Sequence, residues 1–399
     1  MILNVAIVLV VVVLALLLWS PRLYASVTWR AMTTPLASII GSGFLVLGPL
    51  LDAAYGKYAP VIMALLCLFA YFYGAAIRYN MRVIERPGEK RSPLVGGLET
   101  AASWSLGFAY IISVAYYLNL FGAFGVSLTA INEPLPAKIV TSAVYVIIVV
   151  AGWRRGFKSL EQMEYISVTA KLAIIAGLLL GLAVYFYGKA TDGGLIFNAP
   201  DLGGWPALTL AFGLIVTVQG FETSRYLSAD YDSHTRIRSM QWAQWLSTVI
   251  YMLYILLLAF VFERGALQFS ETAIVDMMAI VAPILPVLLV AAALAAQFSA
   301  AVADTSGSGG LVAELTGERV SARMAYVLLT GIGLALTWSA GIFDIISYAS
   351  RAFAAYYGLQ AFIAMLNAWR QDDRWHSLAF AALTLLAVLI VLFGQAVEQ

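Results

Sequence analysis

The sequence predicts an all-α polytopic membrane protein, and its composition carries that prediction. Of its 399 residues, 62% are apolar and only 11% are charged, whereas soluble domains carry about 25% charged residues. One or two cores surrounded by water cannot bury so much apolar surface, so the remainder must face lipid. The net charge of +1 gives no field that would attract nucleic acid, which excludes a nucleic-acid partner.

Twelve apolar stretches, bounded by charged residues, proline or glycine, are long enough to cross the roughly 30 Å hydrocarbon core as helices. They cover residues 1–19, 32–54, 58–80, 96–120, 137–153, 163–187, 206–229, 242–262, 279–303, 324–341, 343–366 and 375–394. The first stretch has no positive charge before it and no small-residue cleavage site after it. We therefore expect a retained helix rather than a signal peptide.

The positions of lysine and arginine predict the orientation of these helices. In alternate connections, one side holds sixteen of the 23 basic residues and the other side holds four. The remaining three, Lys171, Arg225 and Arg351, fall within spans. Since the basic side normally faces the cytoplasm, both termini are predicted to lie on the outer side of the cell (inner) membrane.

Two of the predicted spans contain glycine-rich interruptions. Residues 39–44 read Ile-Ile-Gly-Ser-Gly-Phe, and residues 212–222 run from Phe-Gly to Gly-Phe-Glu. The two lie five spans apart and so have opposite orientations. Paired breaks of this kind occur in inverted repeats, where half-helix ends meet a polar substrate near the middle of the membrane. Helix packing at small residues is the alternative, but the matched positions favour a binding site.

These motifs resemble those of the amino acid/polyamine/organocation permeases, which share the five-plus-five inverted-repeat fold of the sodium/amino-acid symporters. Residues 39–44 are similar to the family's Gly-Ser/Thr-Gly break in core helix 1. Residues 153–159 and 168–172 are similar to its lead into core helix 5, and residues 220–222 with 228–230 to elements of core helix 6. The similarity extends over roughly residues 30 to 370.

The resemblance implies an order of one, five, five and one helices. Residues 1–30 would form an extra helix and linker, 31–190 the first repeat, 191–370 the second repeat, and 371–399 a last helix. The sequence departs from the family after core helix 6, where residues 233–238 lack the usual prolines.

The resemblance also implies that substrate binds at the two breaks. Backbone amides of the first break would bind a carboxylate, and carbonyl groups of the second an amino group, because glycine lets backbone approach a ligand closely. The expected binding residues are Ile39, Gly41, Ser42, Gly43, Val216, Thr217, Gln219, Gly220 and Phe221. Candidates for the side-chain pocket are Trp104, Tyr110, Tyr116 and Tyr117, although aromatic residues at this density more often face lipid or core.

Lys171 is the first of four charged residues with a predicted role in coupling or gating. A charge within a span is costly unless it is paired, and is a functional candidate by default. Lys171 matches the lysine proposed in some family members to take the place of a sodium ion, and a desolvated lysine can exchange a proton. The alternative is a lysine that extends toward the inner interface, near Glu161 and Glu164.

Asp304 is predicted to end the ninth span, next to the helix that carries Lys171. Aligning the helix ends puts Val302 and Ala303 where sodium-coupled relatives use hydroxyl groups, which favours protons over sodium. A slip of two residues would instead put Thr305 and Ser306 there.

Glu222 and Arg351 complete the set of coupling and gating candidates. Glu222 adjoins the second break, and its alternative role is an ion pair along the helix with Arg225. Arg351 is expected on the same helix face as Asp344, where it would close an outer gate, hold an acidic substrate or form a structural ion pair.

Together these observations predict a secondary transporter of a small amino acid or related zwitterion, coupled to protons. No phosphate-binding loop of the G-x-x-x-x-G-K-[ST] type occurs, so a gradient or exchange must supply the energy. No cofactor and no metal site are expected, and the partners are the substrate and the lipid bilayer. Sodium-coupled symport of another organic solute and a non-transporting sensor or subunit remain alternatives. A membrane enzyme is disfavoured, because the sequence lacks paired histidines and clustered carboxylates within its spans.

Overall fold

The computed structural model describes residues 2–41, 43–84, 92–155, 160–227, 231–263 and 270–396, and the side chains of all of these except 154, 155 and 160–164. The described chain is helical and contains no strand. Its α-helices are α1 Ile2–Leu18, α2 Pro21–Tyr24, α3 Val27–Gly41, α4 Phe44–Tyr55, α5 Ala59–Ile84, α6 Pro93–Val126, α7 Pro134–Arg155, α8 Leu160–Thr191, α9 Gly204–Gly213, α10 Ser233–Leu258, α11 Ala273–Val281, α12 Leu285–Leu315, α13 Ala322–Ser339, α14 Ile342–Arg370 and α15 Arg374–Phe393. Short 3-10 helices cover Gly56–Tyr58, Ile215–Val218 and Phe221–Tyr226.

Seven helical stretches of the described chain are long and apolar enough to cross a membrane. They are Val27–Ile84, Pro93–Val126, Pro134–Trp153, Tyr165–Thr191, Ser233–Leu258, Leu285–Leu315 and Arg374–Phe393. Helix α1 is also apolar but has only 17 residues. The all-helical architecture typical of a polytopic membrane protein is therefore confirmed, whereas the number of twelve spans and the inverted repeat stay predictions.

Polar side chains cap the N-terminal ends of several long helices. The Ser92 hydroxyl accepts a hydrogen bond from the Val95 N–H at the start of α6, and the Asp232 carboxylate accepts one from the Thr235 N–H, at 2.7 Å, at the start of α10. Such caps satisfy N–H groups that have no partner in the first turn of a helix. They fix where these apolar helices start.

The two interrupted segments lie in the middle of the helix packing. Helix α3 contacts α8, α10 and α12, and the two 3-10 helices that follow α9 contact α3 and α5. The second half of α3 and most of residues 215–224 are buried. On the outside, α1 packs on α8, where a Cβ atom on Gly177 would lie only 2.6 Å from Val11 Cγ2. The fold therefore surrounds both breaks with long helices.

The ninth predicted span, 279–303, differs from the structure. Helix α11 ends at Val281, and α12 begins only at Leu285 and continues to Leu315. Asp304 consequently lies within α12 rather than at its end. The polar residues after it stay helical because their hydroxyls find acceptors: the Thr305 hydroxyl donates to the Ala301 carbonyl at 2.6 Å, which removes the cost of an unpaired group in an apolar helix.

Candidate functional site

The first break separates α3 from α4. Helix α3 ends at Gly41 and α4 begins at Phe44, with Gly43 immediately before α4. Ser42, one of the predicted binding residues, lies outside the described residues. Ending α3 here leaves carbonyl groups at its C-terminus without intrahelical partners, so these groups must bond to other parts of the protein.

Three side chains from three different helices bond to carbonyl groups near the C-terminal end of α3. Lys171 Nζ, on α8, donates to the Ala37 carbonyl at 2.8 Å. The Tyr251 hydroxyl, on α10, lies 3.0 Å from the Ile39 carbonyl, and Gln297 Nε2, on α12, donates to the Gly41 carbonyl at 3.1 Å. An ammonium group suits this position, because the C-terminal end of a helix carries partial negative charge. Lys171 is only 3% exposed, so its ammonium group is enclosed by the protein.

The second break follows α9 and is held by Ser350 on α14. The Ser350 hydroxyl donates to the Gly213 carbonyl at 2.6 Å and accepts the Val216 N–H at 3.1 Å. One hydroxyl thus satisfies both an acceptor and a donor that the break frees. After the 3-10 turn, Gly220 has φ +115°, a conformation that side-chain-bearing residues rarely adopt. Phe221 then begins the next 3-10 turn.

The two breaks pack directly against each other. A Cβ atom on Gly43 would lie 2.7 Å from Thr217 Cβ, and one on Gly220 would lie 2.7 Å from the Ile39 nitrogen. The Tyr251 hydroxyl lies 2.8 Å from the Thr217 carbonyl as well as 3.0 Å from that of Ile39. Glycine in each break therefore allows the other break to approach, and one tyrosine joins both.

Glu222 is fully buried beside the second break. Its Oε2 atom accepts hydrogen bonds from the Gly220 N–H at 3.0 Å and from the Tyr357 hydroxyl at 2.9 Å. Its Oε1 atom has no hydrogen-bond partner among the described residues. Phe221 stacks on the Tyr357 ring, with 5.2 Å between ring centroids. A buried carboxylate oxygen without a partner is costly, so the position favours either a proton or a ligand group.

Arg225 does not pair with Glu222. It forms an ion pair with Glu99 of α6 at 2.5 Å and also donates to the Gln360 side chain of α14. Residues 221–226 form a 3-10 helix, in which side chains three residues apart share a face. The contacts with Glu99 and Gln360, and not this spacing, therefore decide the partner of Arg225. Arg225 instead links the second break to α6 and α14.

Of the four aromatic pocket candidates, Tyr117 contacts the second break directly. Tyr117 accepts a hydrogen bond from Gln219 Nε2 at 3.0 Å, Tyr116 packs beside it, and Tyr110 contacts the Phe353 ring. All three tyrosines are buried, whereas Trp104 is 45% exposed. Trp104 therefore lies on the outer surface of the helix packing and does not line a pocket there.

Asp304 and Arg351 have partners that spacing along the chain did not predict. Asp304, buried within α12, accepts a hydrogen bond from the Ser113 hydroxyl of α6. Arg351 donates through Nε to the Gly394 carbonyl, beyond the end of α15, at 2.8 Å. Asp344 caps the start of α14 by accepting the Gly341 N–H at 3.1 Å. Arg351 and Asp344 lie on the same helix α14, and each makes its own helix-end contact in place of an ion pair with the other.

Sequence reasoning missed the residues that hold the breaks in place. They are Glu99, Tyr251, Gln297, Ser350, Tyr357 and Gln360. Their common signal is a polar atom within an apolar helix, which must find a partner inside the protein. Which partner it finds depends on contacts between helices that are distant in sequence.

A small cavity lies beside the two breaks. Its volume is about 10 Å³, which is about the space that one water molecule needs. Ile39 and Val218 line it from the two breaks, and the other lining residues belong to α5 and α10. The cavity therefore lies between the breaks and these two helices.

Comparisons with known proteins agree with the membrane architecture and assign the family. The sequence profile described as APC superfamily transporter matches residues 21–394. An uncharacterized protein of Aquifex aeolicus (strain VF5) is 41% identical over 385 residues, which cover 95% of this chain and 94% of that protein. The profile spans α2 to α15 and includes both breaks. The chain therefore belongs to the APC superfamily of transporters.

Proposed function

We propose that this protein is a secondary active transporter that moves a small amino acid or related zwitterion by alternating access. The observation that carries the proposal is the contact between the two breaks, in which Gly43 packs on Thr217 and Gly220 packs on the backbone of Ile39. Broken helices that meet in the interior bring partial charges of both signs to one place. Such a place suits a solute that carries a carboxylate and an amino group.

The proposed architecture has twelve transmembrane helices, with the five-plus-five repeat flanked by one helix on each side and both termini outside. The opposite orientation of the two breaks in sequence supports the repeat, and the distribution of lysine and arginine supports the orientation. In this arrangement the protein acts as a permease of the cell (inner) membrane and not as an enzyme.

Substrate binding would replace contacts that now join the two breaks. In the proposed mode, amides of Gly41, Ser42 and Gly43 bind a carboxylate, and carbonyl groups near Val216, Thr217 and Gln219 bind an amino group. The Thr217 carbonyl already accepts from Tyr251, so an incoming ammonium group would compete with this hydroxyl. Glu222, which bonds to the Gly220 N–H and whose Oε1 atom is unpartnered among the described residues, is an acidic candidate for a proton or for gating.

Lys171 is the proposed coupling residue. Its ammonium group lies at the end of α3, where it donates to the Ala37 carbonyl, and a Cβ atom on Gly41 would lie 3.7 Å from it. Loss of its proton would remove both the charge and one donor from the first break. Protonation of Lys171 would in this way stabilise the first break in the arrangement described, which supports proton coupling. Sodium-coupled symport and a non-transporting sensor are the alternatives.

Uptake into proteoliposomes tests this proposal. A thermal-shift screen against amino acids, amines and small carboxylates first identifies the solute, because a ligand of the folded state raises its apparent stability. We expect that solute to accumulate under a pH gradient without sodium, and Lys171→Ala to abolish accumulation. Lys189→Ala, at the other end of α8, is the matched control. Full pH-driven uptake by Lys171→Ala would refute the coupling role, and binding without uptake would support the sensor.

A further inference from the structure

A groove of about 930 Å³ opens on the surface where α5 ends and α10 begins, outside the two breaks. Its lining includes Arg82 from the last turn of α5, and His234, Arg238, Trp242 and Trp245 from α10. All five side chains are exposed. No carboxylate occurs among the lining residues, which all belong to the described part of the chain. The groove is therefore basic and aromatic.

The groove changes from charged to aromatic along α10. His234, Arg238, Trp242 and Trp245 follow one another at intervals of four, four and three residues, which places them on one face of the helix. At 1.5 Å per residue, Trp245 lies about 10 Å further along the helix than Arg238. The basic groups thus lie near the helix end and the indole rings lie deeper, in the order of a membrane interface.

Contacts between α5 and α10 fix one wall of this groove. The Trp245 and Tyr71 rings pack with their centroids 5.4 Å apart, and Gln241 Nε2 donates to the Tyr71 hydroxyl at 3.1 Å. The Arg78 guanidinium lies over the Tyr71 ring, 4.8 Å from its centroid. Arg78 is buried one turn before Arg82 and adds a further positive charge.

We propose that this groove binds an anionic phospholipid. The guanidinium groups of Arg82 and Arg238 would bind the headgroup phosphate, since guanidinium groups match phosphate oxygens in geometry and charge. The acyl chains would lie along Trp242 and Trp245, whose rings combine an apolar body with an N–H donor. A free phosphate would use only the basic end of the groove, whereas a phospholipid matches its whole length. Basic pockets between transmembrane helices are known to select acidic headgroups.

Retention of lipid by the purified protein, measured by native mass spectrometry, tests the proposal. The full chain is titrated with phosphatidylglycerol and, separately, with zwitterionic phosphatidylcholine. We expect Arg82→Gln combined with Arg238→Gln to weaken phosphatidylglycerol binding by roughly tenfold or more and to leave phosphatidylcholine binding unchanged. Arg319→Gln combined with Arg323→Gln removes two exposed charges elsewhere and should have no such effect.

Three results would overturn the proposal. The first is equal retention of phosphatidylglycerol by the Arg82/Arg238 variant and by the Arg319/Arg323 control. The second is equal displacement of the lipid by inorganic phosphate at the same concentration, because this would show a site for the anion alone. The third is undiminished retention by a variant with Trp242→Leu and Trp245→Leu, because the acyl chains would then lie elsewhere. Unchanged thermal unfolding in phosphatidylcholine shows that each variant is folded.

Discussion

Lys171 and Ala37 join two helices that lie far apart in sequence: the lysine ammonium, on α8, donates a hydrogen bond to the alanine carbonyl, on α3, across 2.8 Å. The bond lies one turn before α3 ends at Gly41. A buried positive charge at this helix end is favourable, because the free carbonyl groups there carry partial negative charge. It also means that the charge state of one side chain affects the stability of the first break.

The contact between the breaks should not tolerate a larger residue at Gly43. Gly43→Ala places a Cβ atom 2.7 Å from Thr217 Cβ and 3.1 Å from Thr217 Cα, so the breaks must separate. We expect a loss of about 1–3 kcal/mol in the free energy of unfolding and loss of uptake. Gly96→Ala, with nothing within 4 Å, is the control. Uptake and unfolding temperature like the wild type would show that the breaks do not pack as described.

Ser350 should be important for the second break even though it is not adjacent to it in sequence. Ser350→Ala leaves the Gly213 carbonyl and the Val216 N–H without their partner, which should cost roughly 1–3 kcal/mol in stability. Ser350→Thr keeps the hydroxyl and should lose less. The control is Ser339→Ala, because Ser339 is exposed. Thermal unfolding measures the effect, and equal midpoints for both alanine variants would contradict it.

Tyr357 should affect transport through its hydroxyl alone. Tyr357→Phe removes the 2.9 Å hydrogen bond to Glu222 and keeps the ring that stacks on Phe221. We expect uptake to fall by about tenfold, the equivalent of one lost hydrogen bond to a charged group, with a shifted pH dependence. Tyr348→Phe, at an exposed position, serves as the control. An unchanged pH profile would mean that the hydroxyl does not influence Glu222.

The ion pair between Arg225 and Glu99 should contribute to stability because it is largely shielded from solvent, with both side chains less than 15% exposed. Removing one partner of such a pair leaves an uncompensated charge, and Glu99→Ala should cost about 3 kcal/mol or more. Combining Glu99→Ala with Arg225→Ala should recover part of this loss. A double-mutant cycle by thermal unfolding measures the coupling, with Glu314→Ala, an exposed residue, as control. If the stability losses of the two single variants add up to the loss of the double variant, the Glu99 and Arg225 side chains do not interact.

The sequence by itself determined the membrane class and the positions of both breaks. Apolar runs with few charges leave no other environment for most of the helices, and the glycines at 41, 43, 213 and 220 mark where helical hydrogen bonding stops. Apolar composition and the backbone freedom of glycine are local properties, so they can be read from the sequence directly.

Only the tertiary structure decided which side chains satisfy the broken helices. Tyr251, Gln297 and Ser350 reach the breaks from helices that are distant in sequence. Glu222 and Arg225, three residues apart on one 3-10 helix, bond to side chains of other helices and not to each other. Within a membrane every polar group needs an internal partner, yet several partners are chemically equivalent. Helix packing decides which of these partners is used. A single sequence shows that a buried polar group needs a partner, but it does not show which residue that partner is.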